Sequence, residues 1–217
     1  MHLFLDFDDT LVSGMNTWAL VHVLPDLIRE HGLPFDEGRY REGLLVALES
    51  ASQNRDESLI LDTLFAHLGW PDTLKSTLMS RVFGDFSPTI FEDTVYFLDQ
   101  MQAAGHVLYI VSNNNHAAEI LDALGLRHYF EAVFTPAHCQ VKTGKPSGEM
   151  WQVVTSALSP LDLSNACFVG DDPFSDGAFA DVCGIPCYII DRTGLYSALH
   201  PHKSYRWITS LGDIRLP

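Results

Sequence analysis

Basic residues are scarce in this sequence. Its 217 residues include 13 lysines and arginines against 28 aspartates and glutamates, which gives a formal net charge of −15 at pH 7. A protein this acidic has no basic stripe that could displace counterions from phosphates, which argues against nucleic acid as a partner. A small anionic substrate is compatible with this charge, because a metal ion or a few local cations can overcome a distant net charge.

Long apolar runs are also missing. No run approaches the ~18 residues that a membrane span requires. The apolar stretch that an export signal would need is interrupted by Asp6, Asp8 and Asp9. We therefore expect a cytoplasmic protein with no membrane partner.

Cysteine is rare, and its four positions form no C-x-x-C pair. Cys183 and Cys187 lie close together, but a zinc site built on them would need two further ligands, for which His138 and Cys139 are the candidates. Buried free thiols are the simpler interpretation for these cysteines and for Cys167.

Five short segments are predicted as strands because they are apolar without interruption: residues 3–5, 107–111, 132–134, 167–169 and 187–190. Such runs are typical of strands buried on both faces, as in a parallel sheet covered by helices. Segments with helical periodicity accompany them at residues 88–104, 117–124, 147–158 and 174–182. The fold class is therefore α/β, with right-handed crossovers.

About 100 residues separate the first two strands, and they are predicted to be helical at 18–31, 37–50, 56–68 and 72–83. A helical block inserted after the first strand explains this pattern. We predict a core domain of residues 1–13 and 86–217 and an inserted domain of residues 14–85. Three arginines of the insertion could contact a substrate carboxylate or a second phosphate, although a solvated helix face explains them more simply: Arg39, Arg41 and Arg55.

Polar residues follow the predicted strands at their carboxyl ends, where open parallel sheets bind ligands. After the first strand, alternation points Asp6 and Asp8 in broadly the same direction. Two converging carboxylates repel each other, and a divalent metal ion would relieve that repulsion. An aspartate can also attack phosphorus to give an aspartyl-phosphate, and a second carboxyl group can protonate the leaving group. An Asp-rich surface turn or helix cap is the alternative.

Two further motifs offer groups that bind phosphate. Ser112 and Asn113 end the second strand, where a hydroxyl and a backbone N–H can bind a phosphoryl oxygen, although an ordinary helix N-cap has the same residues. Lys145 stands between a glycine and Pro146, which fits the first turn of the next helix and would hold the lysine just outside it. An ammonium there could neutralise an aspartate nucleophile and a phosphoryl oxygen.

The last motif, at residues 170–176, is rich in acids. Mg²⁺ takes one or two carboxylates, keeps several waters and shares the phosphate oxygens of a substrate. Asp171 is the predicted direct ligand. Asp176 is predicted either as a second ligand or as an acceptor that holds Lys145 or a metal-bound water, and Asp172 is expected beside it in a supporting role.

Together these motifs resemble the four motifs of the haloacid dehalogenase-like (HAD) hydrolase superfamily: Asp6-x-Asp8-x-Thr10, Ser112, Lys145, and Asp171 with Asp176. The phosphatase branch looks nearest, in particular the phosphoglycolate phosphatase-like and the related nucleotidase-like groups. The inserted helices resemble the C1 cap of that branch. Asp9 stands where the family usually has glycine or asparagine, although aspartate is also common there.

The resemblance implies a Rossmann-like three-layer α/β/α core with a parallel sheet of order 5-4-1-2-3. It implies Mg²⁺ as cofactor, held by Asp6, Asp171 and the backbone carbonyl of Asp8. Asp6 would be the nucleophile, and Asp8 the acid and base. Ser112 and Lys145 would bind the phosphate, and Lys145 would also support catalysis. The protein would then be a Mg²⁺-dependent phosphomonoester hydrolase for a small phosphorylated metabolite.

Three other functions fit the same fold. A haloacid dehalogenase would use the first aspartate without a metal and would not need Asp8, which argues against it. A phosphomutase would need the insertion to shelter the aspartyl-phosphate from water. Outside enzymes, the alternative is a protein that binds a phosphorylated ligand without catalysis. The intact set of site residues argues against it: Asp6, Asp8, Lys145 and Asp171.

Overall fold

The computed structural model describes residues 1–54, 56 and 58–216, so Arg55 lies outside the described residues. Its sheet is built from β1 (His2–Leu5), β2 (Val107–Val111), β3 (Ala132–Phe134), β4 (Ala166–Gly170), β5 (Cys187–Ile190) and β6 (Arg206–Ile208). All pairs are parallel, in the order β3-β2-β1-β4-β5-β6. The α/β class is confirmed, and the first five strands have the predicted order.

The sixth strand corrects the predicted sheet, which had five. β6 pairs with β5 at the sheet edge, with Ile208 opposite Ile190. Of the three residues of β6 only Ile208 is buried. The strand therefore lacks the continuous apolar run by which the other five are recognised.

Both faces of the sheet are buried. Leu3 and Leu5 pack into one hydrophobic cluster, whereas Phe4 packs into a second cluster with Phe168 and Phe179. Successive residues of a strand point to opposite faces, so a strand covered on both sides has no solvent-facing position. This explains the continuous apolar runs in the sequence.

Between β1 and β2 the chain forms a separate compact unit, Ser13–Pro88, while Met1–Val12 and Thr89–Pro217 form the other unit. The predicted boundaries at residues 14 and 85 lie close to these. The inserted unit has a core of its own, in which Leu27, Leu64 and Leu78 are fully buried. Its helices are α1 (Met15–Trp18), which continues through a π-helical turn (Ala19–Val23) into α2 (Leu24–Glu30), then α3 (Glu37–Asn54), α4 (Leu59–Leu68) and α5 (Thr73–Asp85).

The helices of the other unit are α6 (Thr94–Ala103), α7 (Ala117–Ala123), α8 (Pro136–Cys139), α9 (Gly148–Ala157) and α10 (Ala178–Cys183). α6 begins later than the predicted residue 88, because the preceding residues pair with the loop after β1. The Phe91 N–H donates to the Leu11 carbonyl at 3.2 Å, and Ile90 forms an antiparallel bridge with Val12. Within the described part of the chain, no helix combines the length and the apolar character needed to cross a membrane.

The four cysteines are buried free thiols. Burial raises the pKa of the Cys167 thiol to about 12, and it raises the pKa of the Cys139 thiol above its usual value. A thiol that keeps its proton is a poor nucleophile, so these side chains act as apolar packing groups.

Candidate active site

The predicted motifs meet at the carboxyl edge of the sheet. Asp6 follows β1, Ser112 follows β2 and Asp171 follows β4, and β1 lies between the other two strands. The pairing continues past the end of β1, since the Asp6 N–H donates to the Val169 carbonyl at 2.8 Å. The loop before α9 adds Lys145 to this group. Side chains from three neighbouring strands and one loop therefore converge here.

Lys145 is buried between two carboxylates. Its Nζ donates to Asp6 Oδ1 at 2.5 Å and to Asp176 Oδ1 at 2.6 Å, and 2% of its side chain is exposed. Burial alone would lower the pKa of Lys145, but the negative charges of Asp176 and Asp6 outweigh burial and hold that pKa above its usual value. The ammonium therefore stays charged near neutral pH and favours the ionised form of Asp6.

Asp176 holds Lys145 in place. While its Oδ1 binds the lysine, its Oδ2 accepts the backbone N–H groups of Asp171 at 3.0 Å and Asp172 at 3.1 Å. A Cβ atom at Gly170 would lie 2.3 Å from the Asp176 carboxylate, so glycine is needed for this close approach. Of the roles predicted for Asp176, the geometry favours the acceptor that holds Lys145.

Asp172 supports the same loop. Its Oδ1 accepts the N–H of Phe174 at 2.8 Å and caps the π-helical turn Pro173–Gly177. Burial, followed by the charge of Asp176, raises the pKa of Asp172 to about 7. Its carboxyl group is thus bound to its own loop, and it adds one more acidic side chain to the site.

Three carboxylates, those of Asp6, Asp171 and Asp176, offer oxygens that lie within 4.8 Å of one another. Burial raises the pKa of Asp171 well above its ordinary range, and the charge of Asp9 adds to this effect. Burial likewise raises the pKa of Asp6, which Lys145 partly offsets. When all three carboxylates are ionised, they carry more negative charge than Lys145 can balance, and carboxylate oxygens are ligands that Mg²⁺ prefers. The donor set therefore fits a divalent cation.

The Asp8 side chain is oriented by Asn114. Asn114 Nδ2 donates to Asp8 Oδ2 at 3.0 Å, and Asn114 Oδ1 accepts the His116 N–H at 2.9 Å, which fixes the orientation of the amide. Asp9 then turns the chain with a φ of 55°, in the left-handed region that aspartate tolerates better than most residues. No local signal distinguishes Asn114 within a run of three asparagines, so this contact could not be predicted from the sequence.

The amide of Asn113 binds the backbone of Lys145. Its Oδ1 accepts the Lys145 N–H at 2.7 Å, and its Nδ2 donates to the Lys145 carbonyl at 3.0 Å. A Cβ atom at Gly144 would lie 2.0 Å from Asn113 Oδ1. Ser112 is buried at the same turn, where its Oγ accepts the N–H of Asn114 at 3.1 Å. The side chain of Asn113 is thus engaged in holding the lysine loop.

The helix that follows Lys145 begins at Gly148, next to the predicted start at residue 147. Ser147 is its N-cap, and the Ser147 Oγ accepts the N–H of Glu149 at 3.3 Å. Pro146 therefore precedes the helix, and the prediction that it lies in the first helical turn is wrong. Lys145 is positioned by Asn113 instead.

Solved structures resemble this fold over nearly the whole chain. The HAD hydrolase YfnB from Bacillus subtilis, bound to magnesium, is 18% identical with a TM-score of 0.67, over 97% of this chain and 95% of that one. A HAD phosphatase from Thermococcus onnurineus is 22% identical with a TM-score of 0.59, over 97% and 94%. A predicted phosphoglycolate phosphatase from Haemophilus somnus is 17% identical with a TM-score of 0.60, over 97% and 94%. At these identities the likeness shows the fold.

Sequence comparison identifies the family. No curated protein matches the chain. The family model for haloacid dehalogenase-like hydrolases matches residues 1–184, a span that contains every predicted site residue. The chain therefore belongs to the haloacid dehalogenase-like hydrolases, as its four motifs indicate.

Proposed function

We propose that this protein is a Mg²⁺-dependent phosphomonoester hydrolase that acts on a small phosphorylated metabolite through an aspartyl-phosphate. The observation that carries the proposal is the buried Lys145 ammonium, 2.5 Å from Asp6 and 2.6 Å from Asp176. It favours an ionised Asp6 and puts positive charge where a phosphoryl group would arrive. The phosphatase from Thermococcus onnurineus and the predicted phosphoglycolate phosphatase, which share the fold, support the same reaction class.

In this proposal the Asp6 carboxylate attacks phosphorus, and the bond from phosphorus to the leaving oxygen breaks. Asp8 gives its proton to that oxygen, so the product leaves as an alcohol. Asp8 then takes a proton from the water that attacks the aspartyl-phosphate, which releases phosphate and restores Asp6. Because Asn114 donates to Asp8 Oδ2, the transferred proton would be carried on Asp8 Oδ1.

The remaining groups bind the phosphoryl oxygens. We assign this role to the Lys145 ammonium, the Ser112 hydroxyl and the backbone N–H of Asn113. Asp6, Asp171 and the backbone carbonyl of Asp8 would hold Mg²⁺, which when bound supplies further positive charge to the phosphoryl group. Positioning and charge stabilisation of this kind provide most of the catalysis in phosphoryl transfer.

Removal of divalent cations is expected to abolish activity, because the carboxylates alone would repel the phosphoryl group. EDTA treatment should stop phosphate release from an aryl phosphate, and Mg²⁺ should restore it. Ca²⁺ should restore little, because its longer and looser coordination misplaces the reacting groups. Full activity in EDTA, with no metal found by elemental analysis, would contradict the proposed cofactor.

We also propose that the inserted unit, Ser13–Pro88, selects the substrate. Every group assigned above to act on phosphorus lies in the other unit. Replacement of residues 14–85 by a short linker should therefore change the order in which substrates are preferred. It should change the slow rate of aryl phosphate hydrolysis much less. The two proteins would be compared on sugar phosphates, nucleotides, phosphoglycolate and cofactor phosphates, once circular dichroism shows that the shortened chain is folded. An unchanged ranking would assign specificity to the core unit.

A further inference from the structure

A second group of charged side chains lies in the same unit as the candidate active site. Asp93, the N-cap of α6, accepts hydrogen bonds from both terminal nitrogens of Arg192, at 2.9 and 3.0 Å. The Ser210 hydroxyl donates to the same carboxylate at 2.7 Å, and the Leu211 N–H donates to it at 2.8 Å. The guanidinium also lies 4.1 Å from the centroid of the Phe91 ring. An anchored carboxylate and a ring contact therefore fix the position of Arg192.

Arg192 also binds the turn of residues 7–12, which follows β1. Its Nη2 donates to the Thr10 carbonyl at 2.9 Å, and Thr10 is fully buried. The next carbonyl along the turn, that of Leu11, accepts the Thr94 hydroxyl at 2.7 Å. Because the donors of a guanidinium are held in one plane, a single arginine can bind a carboxylate and a carbonyl at once. The turn is therefore held from outside by side chains that are distant in the sequence.

The turn itself is closed by hydrogen bonds of its own. The Phe7 carbonyl accepts the N–H groups of Leu11 at 3.0 Å and Val12 at 3.3 Å, and the Asp9 N–H donates to the Val12 carbonyl at 2.7 Å. A turn closed in this way moves as one body when a contact that holds it is lost. Asp8 lies inside the turn, so the position of its carboxyl group depends on those outside contacts.

We infer that Arg192 is a positioning residue for Asp8, an inference that rests on the proposed function. Through the turn, it holds the carboxyl group where the leaving oxygen can receive its proton. Asp6 is held by other contacts, since its N–H donates to the Val169 carbonyl at 2.8 Å and its carboxylate binds Lys145. Loss of the guanidinium should therefore impair proton transfer to the leaving group more than the attack on phosphorus.

Arg192→Met tests this inference, because methionine keeps an unbranched apolar side chain and removes the donors. We compare kcat/KM for phenyl phosphate and 4-nitrophenyl phosphate, with saturating Mg²⁺, because kcat/KM includes the formation of the aspartyl-phosphate. Phenolate leaves poorly unless it is protonated, whereas 4-nitrophenolate leaves readily without a proton. We expect kcat/KM to fall about ten- to thirtyfold for phenyl phosphate and at most about threefold for 4-nitrophenyl phosphate. A smaller folded fraction would lower both values equally.

Asp93→Asn is a second variant, which carries the test if circular dichroism shows that Arg192→Met is not folded. An asparagine oxygen at the position of Oδ2 can still accept from Ser210 and Leu211. Its NH₂ group would then face Arg192 Nη2, the nitrogen that binds the Thr10 carbonyl. We expect a smaller loss with the same substrate dependence, about threefold for phenyl phosphate and none for 4-nitrophenyl phosphate.

Arg206→Met is the matched control in the same unit. Arg206 also pairs with a ring, since it donates to the Tyr188 hydroxyl at 2.8 Å and lies 5.2 Å from the centroid of that ring, but Tyr188 belongs to β5 and not to the turn. Both values of kcat/KM should stay at the level of the parent. Equal losses on the two substrates in Arg192→Met or Asp93→Asn, or no loss, would overturn the inference and leave the proposed function standing. A parent protein that releases phosphate from neither substrate would instead overturn the proposed function, and the inference with it.

Discussion

Asp6→Asn is expected to lower the hydrolysis of an aryl phosphate by at least about 10³-fold while the fold stays intact. The substitution keeps the shape of the side chain but replaces the attacking carboxylate by an amide, which is a much weaker nucleophile. Lys145 retains its second partner, Asp176, at 2.6 Å, so the buried ammonium is not left without a counter-charge. Phosphate release with saturating Mg²⁺ measures the effect, and circular dichroism checks the fold.

Asp181→Asn is the control for this substitution. Asp181 is also a hydrogen-bonded carboxylate, but it lies on α10 and is not one of the three converging carboxylates. Its variant should keep the rate of the parent. If Asp6→Asn kept more than about a tenth of that rate, Asp6 would not be the nucleophile. Absence of phosphate release from the parent itself would favour a protein that only binds its ligand.

Lys145→Met is expected to abolish measurable turnover and to lower the free energy of unfolding by about 3–5 kcal/mol at neutral pH. Methionine has a similar length, but it removes the charge that balances Asp6 and Asp176. Because all three side chains are largely buried, water cannot replace the lost interaction. Urea unfolding in EDTA measures the stability, and phosphate release with Mg²⁺ measures the activity.

The loss of stability in Lys145→Met should grow as the pH rises. Burial raises the pKa of Asp6 in the folded state even when Lys145 is present, and removal of the lysine would raise it further. A carboxyl group whose pKa is higher in the folded state than in the unfolded state stabilises the fold at pH values below its unfolded-state pKa. This stabilisation is lost as the pH rises through the folded-state pKa. The difference in unfolding free energy between parent and variant should therefore be larger at about pH 8 than at about pH 5.

Lys75→Met is the matched control. Lys75 Nζ also binds two carboxylates, Asp62 at 2.6 Å and Asp72 at 2.7 Å, but both carboxylates are exposed. Exposed ion pairs contribute about 0–1 kcal/mol, so this variant should unfold much as the parent does. If Lys145→Met were as stable as Lys75→Met across this pH range, Asp6 and Asp176 would not carry the buried charge that the mechanism needs.

The position of the site could be predicted because it follows from local sequence and one topological rule. Apolar strands end at Asp6, Ser112 and Asp171, and the carboxyl ends of parallel strands share one edge of the sheet. Lys145 joined this set because it stands between a glycine and a proline. Each of these residues is marked by its immediate neighbours in the sequence, and the structure places all four at that edge.

The contacts that hold these residues could not be predicted in the same way. Asn113 binds the backbone of a residue 32 positions away, and Asn114 binds a carboxylate 106 positions away. These pairings depend on loop conformations that only the folded chain defines. β6 could not be predicted for a related reason, because a three-residue edge strand carries no periodic signal.

The hydrogen bond from the Phe91 N–H to the Leu11 carbonyl, at 3.2 Å, has a consequence for the evolution of the chain. It joins the core chain just before the inserted segment to the core chain just after it, so the segment is a loop that starts and ends beside a closed contact. The loop-closure entropy of such a segment changes by only about 0.6 kcal/mol for each doubling of its length. A segment attached in this way can be exchanged for one of different size without rebuilding the sheet. Under the function proposed above, such an exchange would change the leaving-group preference and leave the phosphate-binding groups unchanged.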